Sequence, residues 1–163
     1  MTLTGCLPAS RIYEALPWRV LILIAGMLAL GTAMEKTGTA DWIAGELVGF
    51  AQGGSARLLI FSLLVITTLL TECVSNAAVA AIMTPIALRT AVLSGIAPTP
   101  LLMAVAFGAS CSFLTPIGYQ TNTLVYAAGG YRFGDFFRIG IPLVVLVWTA
   151  GGLLIPVLWP PAL

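Results

Sequence analysis

From Trp18 to Lys36 the chain is apolar except for Arg19 near the start and the Glu35–Lys36 pair at the end. At about 1.5 Å of rise per residue this run makes a helix ~28 Å long, close to the ~30 Å hydrocarbon core of a bilayer. Arg19 can snorkel to the headgroups, so a first membrane crossing is predicted. Thr39 to Ala51 then sets Trp42, Ile43, Leu47 and Phe50 on one side and Asp41 and Glu46 elsewhere. That is the pattern of a short amphipathic helix lying in the interface, with Gly53 and Gly54 ending it. From Leu58 to Leu88 only Glu72 is charged, and Arg57 and Arg89 bracket the run. One straight helix of that length would be ~46 Å long, whereas a split at Glu72 gives two arms of roughly 21–24 Å. These lengths predict a re-entrant hairpin over residues 57–89 turning at Glu72–Asn76, with two thin full crossings as the alternative.

Leu101 to Thr115 is apolar, Pro116–Ile117–Gly118–Tyr119–Gln120–Thr121 interrupts it, and Asn122 to Ala128 resumes. Pro and Gly so close together break a helix and free backbone groups at membrane depth, which only protein or a polar cavity can satisfy. One discontinuous crossing over residues 100–128 is predicted. Ile139 to Leu158 supplies a last span, within residues 135–159, with Pro142 in its first turn and Trp159 as interfacial anchor. The expected fold is all-α and integral to the membrane: three crossings (one discontinuous), a re-entrant hairpin and an interfacial helix. With the hairpin returning to its own side, Arg11, Glu14, Arg19, Arg132, Asp135 and Arg138 share one face. Glu35, Lys36, Asp41, Glu46, Arg57 and Arg89 share the other. The first face is the more basic, which places it in the cytoplasm.

Residues 1–17 form a polar leader. Arg11 and Arg19 ahead of Val20–Leu30 resemble a signal peptide, but the apolar run continues through Ala33 and Met34 and further spans follow, so a true membrane helix is expected. Composition agrees: 60% of the chain is hydrophobic and 8% charged, against about 25% charged in a soluble domain. A net charge of +1 offers no electrostatic footprint for nucleic acid. The absence of His removes Ser-His-Asp and Cys-His catalysis, and Cys6, Cys73 and Cys111 form no CxxC pair. An enzyme is not expected.

Two polar stretches fall at membrane depth. The first is Thr71–Glu72–Cys73–Val74–Ser75–Asn76–Ala77. The second runs from Ser110–Cys111–Ser112 through Thr115–Pro116–Ile117–Gly118–Tyr119–Gln120–Thr121–Asn122–Thr123. Hydroxyls, amides and unwound carbonyls are hard oxygen ligands suited to Na⁺. Half-helices starting near Asn76 and Asn122 offer free N–H groups and a positive dipole end to an anion. Any one Ser, Thr or Asn in a membrane helix more often bonds a neighbouring helix, and Glu72 alone is as readily a structural acid. The coincidence of polar cluster, helix break and membrane depth, twice, is the usual build of a secondary-transporter site.

At these residues the chain resembles the divalent anion:sodium symporter family, the dicarboxylate, citrate and sulfate carriers. The run TECVSNAAVAAIMTPIA is similar to that family's second Ser-Asn-Thr hairpin, and FGASCSFLTPIGYQTNTLVYAAGGY to the broken helix after it. WRVLILIAGMLALGTAMEKTG is similar to the span before the hairpin. The resemblance implies the C-terminal member of two inverted repeats, one half of an elevator-type carrier that works as a homodimer. The first repeat has no counterpart here. By the same resemblance Thr71, Val74, Asn76 and Gly118 form the second sodium site, Val74 and Gly118 through their carbonyls. Ser75, Asn76 and Ala77 lie at the anion, with Tyr119 and Asn122 beside them. Glu72, Ser112, Thr115 and Thr121 are further intramembrane polar groups. Ala77 stands where the family often has Thr, and Tyr119 where the dicarboxylate carriers have Thr. PIGYQTN resembles a bacterial branch often called sulfate-type, which leaves the anion open between sulfate, other oxyanions and dicarboxylates. An arsenite-type permease and a non-transporting membrane fragment are the other readings. A sodium coupling ion, no organic cofactor and a place in the plasma or inner membrane are expected.

Overall fold

A computed structural model of the protein describes residues 18–51 and 55–162. The polar leader 1–17 and the Gly53–Gly54 stop lie outside them. The described residues form seven helices and no strand: α1 Trp18–Lys36, α2 Thr39–Phe50, α3 Ala56–Thr71, α4 Asn76–Ser94, α5 Pro98–Ser110, α6 Gln120–Gly129 and α7 Phe133–Leu158. Among them α4 and α7 are long and apolar enough to cross a membrane.

Local chemistry sets most of the boundaries. The link from α1 to α2 turns at Gly38, whose φ of 72° is the left-handed region that a residue without Cβ enters at no cost. Ser75 caps α4 by accepting a hydrogen bond from the Ala78 N–H, 3.3 Å. Gly95, φ 66°, closes the same helix, with the Ile96 N–H reaching back to the Ala91 carbonyl at 3.1 Å. Pro98 opens α5, where its missing N–H would have been unpaired anyway. At the start of α7 the Arg132 N–H donates to the Asp135 carboxylate at 2.8 Å.

The break between α3 and α4 falls at residues 72–75, where the polar cluster predicts it. Helix α4, however, does not stop at Arg89. It runs to Ser94, a helix of 19 residues against 16 in α3. Arg89 instead sits on the flank of α4 and pairs with Asp41 of α2, 3.3 Å, tying the two helices together. The amphipathic face of α2 also differs from the expected one. Ala40, Ala44 and Leu47 are the residues buried against the protein, whereas Trp42 and Phe50 are about 70% exposed. The small residues allow close approach, and the two aromatics remain on the outer surface. The last helix starts at Phe133, earlier than the expected Ile139, because the Arg132–Asp135 cap adds a turn and a half of amphipathic helix below the span.

The core is built around α5, which packs most extensively on α3 and α4. Leu59, Ile60, Leu63 and Leu64 from α3, Val79, Met83 and Ile86 from α4, and Leu101, Ala104 and Val105 from α5 are buried together, with Ile155 added by α7. By contrast α7 buries only Gly140, Val144 and Ile155 and exposes Ile139, Leu146, Leu153 and Val157, a surface suited to hydrocarbon. Helices α5 and α3 pack tightly at Gly108, where a Cβ would lie 2.8 Å from both the Leu64 carbonyl oxygen and the Thr67 Cβ. Neither neighbour can rotate away. Gly108→Ala is therefore expected to destabilise the bundle by about 1–3 kcal/mol, the usual cost of overpacking. Thermal unfolding in detergent checks this, with Gly45→Ala as control, since a Cβ there meets nothing within 4 Å. Equal melting temperatures for the two variants would mean that the α3–α5 crossing is loose.

Candidate functional site

The site grows out of two interruptions, the four-residue turn after α3 and the unwound stretch 111–119 between α5 and α6. In the first, the Cys73 and Val74 N–H groups both reach the Leu70 carbonyl, 3.1 Å each, so the chain tightens and reverses out of the helix. Across the turn the Thr71 hydroxyl faces the Asn76 side-chain oxygen at 2.8 Å and the Ala109 carbonyl of α5 at 3.2 Å. Its single proton serves one of them at a time.

The second interruption begins sooner than its composition suggests. The apolar half ends at Ser110, not Thr115. Pro116 has no N–H and disfavours the helical region for the residue before it, so the middle of the stretch resists winding into a helix. Its beginning is set by Glu72, whose two carboxylate oxygens accept the Leu114 and Thr115 N–H groups at 2.9 Å each. The Thr115 hydroxyl lies 3.3 Å from the Glu72 carbonyl and accepts the Gly118 N–H at 3.1 Å. Freed backbone groups inside a membrane need such partners.

Asn122 is the third residue of α6, not its start, and its amide donates to the Ser112 and Thr115 carbonyls at 2.8 and 3.1 Å. Both partners are acceptors, so the nitrogen is assigned by the network. Its N–H groups thereby tie the start of α6 to the unwound stretch. The Thr123 hydroxyl holds the Pro116 carbonyl at 3.0 Å. Ser112, buried, sits at the junction: its hydroxyl reaches the Thr71 carbonyl at 3.5 Å and occupies the space a Cβ on Gly118 would need.

Between these parts lies a polar cleft of about 320 Å³ lined by Asn76, Ser110, Ser112, Phe113, Tyr119, Thr121 and Asn122. That volume is at the lower end of small-ligand pockets, about 300–1,000 Å³. Residues of the first turns of α4 and α6, Asn76, Thr121 and Asn122, are among its lining. A larger groove of about 490 Å³ is walled mainly by Leu58, Phe61, Trp148 and Leu153, with Ser55, Arg57 and Thr149 also in its lining, and neither helix break contributes to it.

Of the expected anion residues, Asn76, Tyr119 and Asn122 line the cleft; Ser75 and Ala77 are exposed outside its lining. Of the expected sodium ligands, Thr71 and Asn76 are in contact, and Gly118 joins them through Ser112. Val74 lies exposed in the turn. Glu72 and Thr115 form the clamp, and Ser112 and Thr121 line the cleft. Ser110 and Phe113 are lining residues that the expected site left out. Ser110 stands in the second polar stretch and was findable there, whereas Phe113 carries no sequence signal.

The citrate transporter (CitMHS) family model matches residues 1–161. An uncharacterized transporter of Synechocystis sp. is 48% identical over 98% of this chain and 26% of its own length. Sodium/sulfate cotransporter 1 of Chlamydomonas reinhardtii is 35% identical over 95% of this chain and 18% of its own. The sodium-dependent dicarboxylate transporter SdcS of Staphylococcus saprophyticus is 30% identical over 91% of this chain and 29% of its own. The chain thus spans about a quarter of the length of such relatives. With a family match over almost every residue, the chain belongs to the citrate transporter family of membrane transporters.

Proposed function

We propose that this chain forms one half of a secondary active, sodium-coupled anion transporter of the sulfate or dicarboxylate class. It resides in the plasma or inner membrane, as the family of transporters and the apolar helices require. The observation that carries the reading is one small polar cleft lined by Asn76, the first residue of α4 after the break at 72–75, and by Ser112, Phe113 and Tyr119 of the break at 111–119. Relatives named for sodium with sulfate and for sodium with dicarboxylate support both the ion and the anion class.

In this reading α3 and α4 are the arms of a re-entrant hairpin, and α5 and α6 are the halves of a discontinuous crossing. Thr71, Asn76 and the backbone carbonyls of Val74 and Gly118 hold the sodium ion. Asn76, Tyr119 and the N-terminal N–H groups of α4 and α6 hold the anion, with Ser75 and Ala77 at the rim. Asn76 serves both, because its amide offers an oxygen to the cation and N–H groups to the anion. A second, inverted repeat supplies the other half-site, and the complete homodimer alternates access by an elevator movement.

The test is uptake of labelled sulfate and of labelled succinate by the full-length protein in proteoliposomes, with an inward sodium or potassium gradient. Uptake of one anion under sodium and not under potassium is expected. Equal uptake under both cations would remove the sodium coupling, and uptake of neither anion would remove the anion class.

A further inference from the structure

We propose that Glu72 is a positioning residue that sets the sodium affinity of the site by clamping its two halves together. The inference rests on the sodium-coupled reading above. The sodium ligands of that reading come from two elements far apart in the chain: Thr71, Val74 and Asn76 from the hairpin turn, and Gly118 from the unwound stretch. A coordination sphere assembled in this way is only as well formed as the register between its two parts.

Glu72 fixes that register. It is 5% exposed, and both its oxygens are taken by consecutive backbone N–H groups of the second break, Leu114 and Thr115, at 2.9 Å each. It is not among the residues lining the polar cleft. The tie is doubled by the Thr115 hydroxyl, which lies 3.3 Å from the Glu72 carbonyl and passes the connection on to the Gly118 N–H at 3.1 Å. A continuous path thus runs from Thr71 through Glu72 and Thr115 to Gly118. The other links between the halves at this point are longer, Thr71 hydroxyl to Ala109 carbonyl at 3.2 Å and Ser112 hydroxyl to Thr71 carbonyl at 3.5 Å. Hydrogen bonds to a carboxylate are the stronger kind, so the clamp dominates.

A carboxylate that merely caps loose backbone would govern how much protein folds and leave the ion affinity of the folded molecules alone. Glu72→Gln separates the two roles. It keeps the volume but puts an NH₂ group where one N–H donor expects an acceptor. In the full-length protein, the sodium concentration for half-maximal uptake is expected to rise about tenfold, as for other residues that orient ion ligands from behind, with the maximal rate per molecule in the membrane changed less. Glu72→Asp keeps both acceptor oxygens on a shorter stem and is expected to recover part of the affinity. Hydrogen–deuterium exchange of the peptide carrying Leu114 and Thr115 is expected to quicken in Glu72→Gln. A wild-type sodium dependence in Glu72→Gln molecules that reach the membrane, no recovery of affinity in Glu72→Asp, or unchanged exchange at 114–115 in Glu72→Gln overturns the clamp. Sodium-independent uptake by the wild-type protein overturns the underlying coupling instead, and the sodium role of Glu72 with it.

Discussion

Asn76→Ala is expected to abolish sodium-dependent anion uptake by the full-length protein, a loss of about 100-fold or more, corresponding to roughly 2.7 kcal/mol. The side chain stands where the two proposed functions meet: its oxygen faces the Thr71 hydroxyl at 2.8 Å, and the residue lines the polar cleft. Alanine removes the oxygen offered to the cation and the N–H groups offered to the anion, and it leaves the buried Thr71 hydroxyl without its nearer partner. Folding should survive. The cap of α4 belongs to Ser75, not Asn76, and alanine is the best helix former at the position it takes over. A polar contact between membrane helices contributes on average only about 0.6 kcal/mol, so the amount of protein in the membrane should stay close to wild type. Uptake with unchanged sodium dependence at normal membrane abundance would return Asn76 to a packing role and move the site elsewhere.

That Asn76 could be singled out at all reflects where the chain carries local signals. The Ser75–Asn76 start of α4 is written in adjacent residues: a capping hydroxyl, an amide and a following alanine-rich helix. The structure breaks at the same point. The same holds for the range Trp18–Lys36, where an apolar run ends in Glu35–Lys36 and a left-handed Gly38 follows. The second break was legible in place but not in extent. Cys111, Phe113 and Leu114 are apolar enough to continue a helix, and what unwinds them is a carboxylate some forty residues earlier. No window along the sequence contains both partners. The end of α4 is a related case: the helix runs past Arg89 to Ser94, and the partner of Arg89, Asp41 of α2 at 3.3 Å, is far away in sequence. Asn122 shows what a sequence leaves out within a site: residue type marks it as polar, but its bonds to the Ser112 and Thr115 carbonyls are visible only in three dimensions.

Gly118→Ala is expected to be as damaging as the loss of Asn76, for a steric reason. A Cβ at residue 118 would run into the Ser112 hydroxyl, with a Glu72 carboxylate oxygen at 3.1 Å and the Thr115 hydroxyl at 3.2 Å. None of the three can yield freely. Ser112 is buried and its carbonyl holds Asn122, Glu72 is fixed by two N–H groups, and Thr115 is bonded to both Glu72 and Gly118 itself. One methyl therefore forces the break away from the hairpin turn, at about 1–3 kcal/mol in stability and with the proposed sodium ligands driven apart. The expected result is a lower melting temperature together with loss of sodium-dependent uptake. Gly134→Ala serves as control, since a Cβ there meets nothing within 4 Å. The double variant Gly118→Ala/Ser112→Ala removes the oxygen that the new methyl meets first. Contacting residues are coupled, so it should be more stable than the sum of the two single changes. Strict additivity would mean that Ser112 is not what confines residue 118. Uptake at the wild-type level in Gly118→Ala would mean that the two breaks do not need this closeness to bind the ion.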